Sequence, residues 1–490
     1  MDTLTSKHGL VSVSPSQPVH QHEVDSLSPD LRQELERLEK EFSVDAKKLK
    51  EISKQFEQEL QDGLDKYGSN ISMNVTWVLG WPDGHETGYF LTVDLGGTNL
   101  RVCWIHLTER SGDIKVTQEE YKLPKEVKTG GADQLFDFIA EQLKDFLEKH
   151  ELRGTKDEPL QLGFTFSYPA HQDYIDHGKL VTWTKGFEID GVEGEDAAGL
   201  LRAAIEKKDL PIHLVALIND TTGAMIASAY NDPDTIVGAI FGTGCNGAYM
   251  ENVGSIHKLE TGLPPETPMA INCEYGAFDN AHQALPRTKY DIKIDEESPK
   301  PGEQAFEKMS AGLYLGEIYR HVVLGLHEKG ILFAGQDAAK LHEPYSLDTG
   351  FLSALENDMS IGMSDTRRSF REHLGFEASP EELIFSQRLA EAIAVRGARL
   401  CTCGIAAICR KKGIKSGHVA ADGSVANKHP TFKKRWAAAM GEVLDWAEDR
   451  KEDPITITSA EDGSGVGAAV IAAMTLKRAK EGNMAGIKQR

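Results

Sequence analysis

The sequence predicts an α/β protein built from two related lobes that face each other across a cleft. Apolar strand-like runs alternate with amphipathic helical segments along most of the 490 residues, a length that favours two lobes over a single core. Two apolar runs, 89–95 and 235–241, lead directly into glycine-rich turns at 96–99 and 242–244. Because the same pattern of a strand followed by a glycine-rich turn occurs at two distant points of the chain, we expect one turn from each lobe to line the cleft.

The turn at 96–99 is the stronger candidate for binding a phosphate. Gly96 and Gly97 carry no Cβ, so their backbone N–H groups can approach a phosphate closely. Thr98 adds a hydroxyl donor, and Asp94, at the carboxyl end of the strand, is suited to hold a metal-bound water beside the phosphates. An ordinary hairpin is the alternative, but the LGGTN run is longer and more particular than an isolated glycine motif.

Hydrophobic periodicity predicts the remaining elements in order. Leu31, Leu35, Leu38 and Phe42 have helical spacing, and a second helix over 46–64 ends near Gly63. The later elements are a hairpin of 89–95 with 101–107, a helix at 134–149, strands at 160–166, 213–220 and 418–421, and a small-residue helix at 466–479. The charged segment 291–303 is predicted to be an exposed loop.

Composition excludes several classes of protein. The formal net charge of −22 argues against a general nucleic-acid binder and against a binder of anionic membranes. No apolar run is long enough to span a bilayer, and the first residues lack the pattern of a signal peptide. Six cysteines, three of them within the apolar stretch 401–409, predict buried thiols and a reducing cytoplasm, with neither a disulfide framework nor a metal site. Residues 1–25, rich in Ser, Pro, His and Gln, predict a disordered tail.

Asp220 is the candidate catalytic residue. It follows a buried strand-like run and Asn219, and it precedes a Thr-Thr-Gly-Ala segment that can open a helix. Functional sites of α/β folds collect at such junctions between a strand and a helix. The residues alone give equal weight to a helix N-cap at Asp220.

Two further groups of residues have the chemistry of a binding site. Segments 166–169 and 181–186 combine hydroxyls and a lysine with aromatic rings, a mixture that suits a polyhydroxyl ligand, although the residues alone favour a surface loop. Segments 272–276 and 306–309 supply the carboxylates of Glu274 and Glu307. A glutamate on a helix is usually solvated. The residues alone therefore leave open whether these two carboxylates bind a ligand or are exposed to solvent.

Together these blocks resemble the eukaryotic hexokinase family, closest to the single-unit fungal hexokinases and glucokinases. The resemblance runs from about residue 28 to about residue 476 and rests on many motifs in the expected order, among them LTVDLGGTNLRV, LVTWTKGF, LINDTTGAMIASAY, INCEYGAFD and VAADGS. It implies an α/β, two-lobed actin-like ATPase (ribonuclease H-like) sugar-kinase fold with a cleft between a small and a large lobe. The implied boundaries are an N-terminal helical part of the large lobe at 26–79, a small lobe at 80–219 plus about 462–475, and the rest of the large lobe at 220–461 plus about 476–490.

Motif matching also implies a role for individual residues. The positions implied for the sugar are Ser167, Thr184, Lys185, Asn219, Asp220, Asn246, Glu274 and Glu307, of which Asp220 and Lys185 are the catalytic pair. The positions implied for the nucleotide are Asp94, Gly96, Gly97, Thr98, Asn99, Arg101, Thr243, Gly423, Ser424, Gly463, Ser464 and Gly465. No residue is implied as a direct metal ligand, because Mg²⁺ arrives with ATP and Asp94 acts on it through a water.

The resemblance implies ATP-dependent phosphorylation of a hexose at its 6-hydroxyl, the first step of glycolysis, with glucose ahead of fructose and mannose. In this scheme Asp220 is the general base, and the lobes close on the sugar to exclude water. The alternative is a glucose-sensing regulatory protein of the same family with weak catalysis. A third hypothesis, an actin- or chaperone-like ATPase, is disfavoured because it predicts no sugar cluster. We expect a cytoplasmic monomer or homodimer with hexose and MgATP as its partners.

Overall fold

The computed structural model describes residues 26–108, 113–183, 187–460 and 463–488. The predicted tail at 1–25 and the predicted site residues Thr184 and Lys185 lie outside these ranges. The strands are β1 Asn74–Leu79, β2 Gly88–Leu95, β3 Asn99–Leu107, β4 Ile114–Lys122, β5 Leu160–Phe166, β6 Ala170–His171, β7 Lys179–Leu180, β8 Ile212–Ile218, β9 Thr235–Phe241, β10 Cys245–Asn252, β11 Pro268–Asn272, β12 Gly417–Asp422 and β13 Ile455–Ser459.

Helices lie between several of these strands, and in the described part of the chain six α-helices follow one another between β11 and β12. The α-helices are α1 Pro29–Phe42, α2 Ala46–Asp65, α3 Lys125–Lys128, α4 Ala132–Lys149, α5 Ala197–Lys207, α6 Asp220–Asn231, α7 Lys289–Glu297, α8 Ala305–Ser310, α9 Gly312–Glu328, α10 Thr349–Glu356, α11 Ser364–Leu374, α12 Pro380–Lys412, α13 Ser424–Lys428, α14 Phe432–Val443 and α15 Gly463–Lys480. Short 3₁₀ helices lie at Val253–Ser255, Tyr275–Ala277, Ala339–His342 and Ile361–Met363.

Two sheets of related topology form the frame of the two lobes. The small-lobe sheet has five strands in the order β4-β3-β2-β5-β8, and the large-lobe sheet has six in the order β1-β11-β10-β9-β12-β13. In each sheet an antiparallel hairpin, β2–β3 or β9–β10, is extended by two parallel strands, β5 and β8 or β12 and β13. This repeated order confirms the two related α/β lobes, and β2–β3 is the predicted hairpin.

Helices α6 and α15 follow the last strand of the small-lobe and large-lobe sheets and pack directly against each other. Their backbones touch, because a Cβ on Gly467 would lie 2.1 Å from the carbonyl oxygen of Gly223. A Cβ on Gly463 would lie 3.1 Å from the Cα of Ala224, so the first turns of both helices are also close. Only glycine permits such an approach. The crossing brings the N-termini of α6 and α15 to the same place.

Helix α12 forms the centre of the large-lobe core. It is long and apolar enough to cross a membrane by length and composition, but 83% of its most apolar window is buried inside the protein, as in the core helix of a globular domain. Cys401, Cys403 and Cys409 lie on this helix and are buried free thiols, which confirms the structural role predicted for them.

The expectation of an exposed loop over 291–303 is wrong for its first half, which belongs to α7. Thr288 and Asp291 form a reciprocal capping box at the start of this helix. Asp291 also makes a buried bidentate ion pair with Arg396 of α12, with N–O distances of 2.8 and 2.7 Å. The charged residues of this segment suggested solvent exposure, because a partner such as Arg396 lies far away in the sequence and gives no local signal.

Candidate functional site

The small-lobe hairpin presents its glycine turn beside the N-terminus of α15. The N–H of Gly96 donates to the carbonyl of Asn99 at 3.1 Å, so Gly97 and Thr98 form the tip of the turn. Asp94, the penultimate residue of β2, accepts a hydrogen bond of 2.7 Å from the hydroxyl of Ser464. A strand end, a glycine turn and a helix N-terminus thus meet at one point, the combination that suits an anionic ligand.

Two residues outside the predicted set support this turn. The ammonium group of Lys128 donates to the carbonyl of Gly97, and the hydroxyl of Tyr168 donates to the carbonyl of Gly96 at 3.2 Å. Burial, together with the charges of Asp94 and Asp220, raises the pKa of Tyr168, so its phenol stays a neutral donor. Lys128 gave no sequence signal because it belongs to no motif, whereas Tyr168 lies within segment 166–169, whose composition already suited a binding site.

Asp220 is the first residue of α6, and its neighbour provides the N-cap. The side chain of Asn219 accepts from the N–H of Thr221 at 2.9 Å, which assigns the capping role to Asn219. One carboxylate oxygen of Asp220 accepts from the N–H and the hydroxyl of Thr221, at 2.7 and 3.1 Å. These bonds fix the orientation of a half-buried carboxylate at the N-terminus of a helix. Ser167 lies at the corresponding end of the neighbouring strand β5 and is buried.

The large lobe contributes a connected group of amides and one carboxylate. The amide of Asn246 donates to Asn272 at 2.7 Å, and that of Asn272 donates to Glu274 at 2.8 Å. The backbone N–H of Glu274 donates back to the side-chain oxygen of Asn246 at 2.9 Å. Glu274 has a left-handed backbone, with φ of 56°, which is uncommon for a residue other than glycine and is found at binding sites. Asn272 is a further member of this group, within a segment that the sequence already singled out.

Glu307 joins this group from helix α8. Its carboxylate accepts from the backbone N–H of Cys245 at 3.1 Å, and a Cβ on Gly244 would lie 2.7 Å from the same oxygen. Burial and the charge of Glu307 both raise the pKa of Cys245, which keeps this thiol neutral. Glu307 is therefore packed against the turn between β9 and β10 and is not simply solvated.

A second glycine contact lies at the carboxyl ends of β9 and β12. Gly423 has φ of +112°, and a Cβ on it would lie 2.6 Å from the carbonyl group of Phe241. The backbone of Gly423 therefore packs directly on the turn that contains Thr243. Ser424 begins the short helix α13, and the carboxylate of Asp422 accepts from the N–H of Gly423 at 2.6 Å.

The described site residues form two groups, one for each sheet. The small-lobe group contains Asp94, Gly96, Gly97, Thr98, Asn99, Arg101, Ser167, Asn219, Asp220, Gly463, Ser464 and Gly465. The large-lobe group contains Thr243, Asn246, Glu274, Glu307, Gly423 and Ser424. Arg101 pairs across the hairpin with Asp94, whereas the amide of Asn99 donates to Glu120 on the outermost strand β4. Helix α6 connects the groups, because a Cβ on Gly238 of β9 would lie 2.6 Å from the carbonyl oxygen of Thr221.

The duplicated sheet order is that of the two-lobed actin-like sugar-kinase fold. Two hexokinase family models match this chain, over residues 34–230 and 236–474. The chain belongs to the hexokinase family, and it is of the fungal type. It uses ATP to phosphorylate a hexose.

Individual relatives span nearly the whole chain. It is 52% identical to a hexokinase of Emericella nidulans over 483 residues, 98% of either protein. It is 49% identical to Hexokinase-1 of Saccharomyces cerevisiae over 484 residues, 98% of this chain and 99% of that protein. Among solved structures, a hexokinase from Schistosoma mansoni complexed with glucose matches with a TM-score of 0.82 and 36% identity, covering 91% of this chain and 100% of the other.

Proposed function

We propose that this hexokinase transfers the γ-phosphoryl group of ATP to the 6-hydroxyl of glucose, and also of fructose and mannose, with Asp220 as the general base. The observation that carries the proposal is the fixed carboxylate of Asp220 at the N-terminus of α6, near Tyr168, whose hydroxyl donates to Gly96 of the small-lobe turn. A carboxylate in this position can accept the hydroxyl proton as the oxygen attacks phosphorus. General-base assistance of this kind contributes roughly 10²–10⁴-fold to the rate.

The proposed sugar pocket is formed by Asn246, Glu274 and Glu307 from one lobe and by Ser167 and Asn219 from the other. Thr184 and Lys185, which lie outside the described residues, complete the proposed set. Every hexose hydroxyl is both a donor and an acceptor. The carboxylates of the pocket accept hydrogen bonds and its amides both donate and accept, so together they can satisfy both functions. A sugar that lacks a matching hydroxyl leaves one of these groups unpaired, and this is the source of selectivity.

On the nucleotide side, we propose that the turns at 96–99 and 242–244 bind the phosphates, with Gly423 and Ser424 nearer to the rest of ATP. The carboxylate of Asp94 suits Mg²⁺, because this ion prefers oxygen donors and retains several waters through which a carboxylate can act. Bound Mg²⁺ neutralises charge on the transferring phosphoryl group. The residues of the protein position the phosphates, and the helix N-termini of α6 and α15 supply fixed positive potential within an acidic chain.

Movement of the lobes is the remaining part of the proposal. The small lobe comprises 80–219 with about 462–475, and it closes on the large lobe when the sugar binds. Closure excludes water, which otherwise competes with the 6-hydroxyl as acceptor. We propose a monomer or a homodimer, and a cytoplasmic location that agrees with the free thiols of all six cysteines.

A coupled assay for sugar 6-phosphate tests the proposal. The wild-type protein is incubated with MgATP and with glucose, fructose or mannose, and the ratios of kcat/KM rank the three sugars. Turnover of glucose supports the proposal. If glucose binds by calorimetry but is not phosphorylated, the protein is instead a glucose-sensing member of the family.

A further inference from the structure

Lys300 connects the large lobe with the small lobe beside the proposed sugar pocket. It lies in the loop between α7 and α8, and its ammonium group donates to the hydroxyl of Thr182 and, at 3.4 Å, to the carbonyl of Trp183. Thr182 and Trp183 immediately precede Thr184 and Lys185 in the chain. A cation from one lobe thus holds the segment of the other lobe that leads into the proposed sugar residues.

The loop that carries Lys300 is held in place by hydrogen bonds within the large lobe. The carboxylate of Asp295 accepts from the N–H of Gly302 at 3.0 Å and from the ammonium group of Lys308 at 2.7 Å. Lys308 is buried and also donates to the carbonyl of Lys300 itself, at 2.8 Å. Because Lys308 and Glu307 are neighbours on α8, the position of the loop is tied to that of the proposed sugar-binding carboxylate.

Thr182 and Trp183, which accept the hydrogen bonds from Lys300, are themselves held by contacts within the small lobe. The carboxylate of Glu193 accepts from the hydroxyl of Thr182 at 3.1 Å and from the N–H of Trp183 at 2.7 Å. The indole N–H of Trp183 donates to the carbonyl of Ile189 at 3.1 Å, and its ring is buried. The Thr182 hydroxyl accepts from Lys300 and donates to Glu193, which forms a charged hydrogen-bond chain from one lobe to the other.

We propose that Lys300 is a positioning residue that stabilises the closed arrangement of the lobes and thereby strengthens sugar binding. This inference rests on the proposed function, because it requires the sugar to bind between the lobes. The contact forms only while the two lobes are together, so its free energy adds to the apparent affinity of the ligand that closes them. It touches neither glycine turn, so ATP affinity depends on it much less.

The test is the substitution Lys300→Met, which keeps the length of the side chain and removes its charge. We expect the KM for glucose to rise about 10-fold, the loss typical of one charge-assisted hydrogen bond, while kcat and the KM for ATP change less than about threefold. Lys300→Arg is expected to restore the glucose KM. Lys293→Met is the matched control, because Lys293 is an exposed lysine of α7 and its ion pair with Glu297 lies within its own helix.

A double substitution separates this role from a general loss of structure. If Lys300 acts through Thr182, then Lys300→Met combined with Thr182→Val raises the glucose KM no further than Lys300→Met alone. An unchanged glucose KM in Lys300→Met, or an equal rise in the KM for ATP, overturns the inference. Absence of wild-type turnover instead contradicts the proposed function, and calorimetric glucose binding to wild type and Lys300→Met then tests Lys300 independently.

Discussion

The hydroxyl of Ser464 donates a hydrogen bond of 2.7 Å to the carboxylate of Asp94, although the two residues are 370 positions apart in the chain. Asp94 is the penultimate residue of the strand before the glycine turn of the small lobe, and Ser464 lies in the first turn of α15. The orientation of the carboxylate nearest to the proposed phosphate site is therefore set by a helix that the chain forms long after the hairpin.

Replacing Ser464 with alanine tests the importance of this orientation. We expect Ser464→Ala to lower kcat about 10-fold, because Asp94 loses one hydrogen bond to its charged group, and to leave the glucose KM nearly unchanged. Steady-state kinetics with ATP and glucose varied separately give both values. Ser459→Ala, which removes an exposed hydroxyl on β13, is the control. An unaltered kcat would mean that turnover does not depend on how Asp94 is held.

The proposed general base is tested by Asp220→Ala. We expect kcat to fall at least about 100-fold, within the range for loss of a general base, while glucose binding changes little. The coupled assay measures kcat, and calorimetry measures glucose affinity. The control is Asp234→Ala, which removes an exposed carboxylate just after the C-terminal end of α6. Near-normal turnover of Asp220→Ala would remove this residue from the mechanism.

The glycine turn is tested by Gly97→Val. A branched side chain at the tip of the turn is expected to block the approach of a phosphate, so the KM for ATP should rise at least about 10-fold. Calorimetry should find glucose affinity unchanged. Gly131→Val serves as the control, because open space surrounds the Cβ position of Gly131. Equal losses in sugar and nucleotide binding would indicate misfolding and contradict a local role.

The contact of α6 with α15 predicts a large effect on stability. In Gly467→Ala the new methyl group would lie 2.1 Å from the carbonyl oxygen of Gly223, so we expect a loss of about 1–3 kcal/mol or more and a lower Tm. Gly325→Ala is the matched control, since Gly325 lies inside helix α9 with open space at its Cβ position. That control is expected to stabilise the protein by about 0.5–1 kcal/mol. Thermal unfolding of the two variants should therefore move in opposite directions.

The buried pair of Asp291 and Arg396 predicts a dependence of stability on pH. Burial alone would raise the pKa of Asp291, but the charge of Arg396 and hydrogen bonds from Arg396 and Thr288 outweigh it and hold this pKa below the ordinary value of 3.8. A lowered pKa in the folded state means that the stabilisation is fully present above pH 3.8 and is lost as the pH falls from there.

Accordingly, Asp291→Asn should cost about 3–5 kcal/mol at neutral pH, because it leaves the Arg396 charge buried without its partner. The difference in the free energy of unfolding between Asp291→Asn and wild type should stay constant down to about pH 4 and should narrow below that pH. Urea unfolding at several pH values measures this difference. Asp365→Asn, at an exposed pair with Arg368, should show no measurable difference at any pH. If the difference in the free energy of unfolding does not vary with pH, the stabilising role assigned to the ionised carboxylate of Asp291 is contradicted.

Local patterns predicted much of the fold, because the information lay within short windows of sequence. The hairpin of β2 and β3, the junction at Asp220 and the buried cysteines of α12 each follow from a few adjacent residues. Segment 291–303 misled the prediction because the partners of its charges, such as Arg396, lie elsewhere in the chain. For the same reason Lys128 and Lys300 had no signal, since each acts only through contacts that folding creates.

The packing of α15 has a further consequence for the order in which the protein is made. Phe90, Ile105 and Val215 of the small-lobe sheet are buried against Ala468 and Ile471 of this helix. The ribosome therefore releases the apolar face of the sheet long before it has synthesised the helix that covers it. A nascent chain that stops short of residue 463 carries this face uncovered, which makes it a substrate for chaperones and prone to aggregation. The small lobe therefore completes its core only when the last helix of the chain has been synthesised.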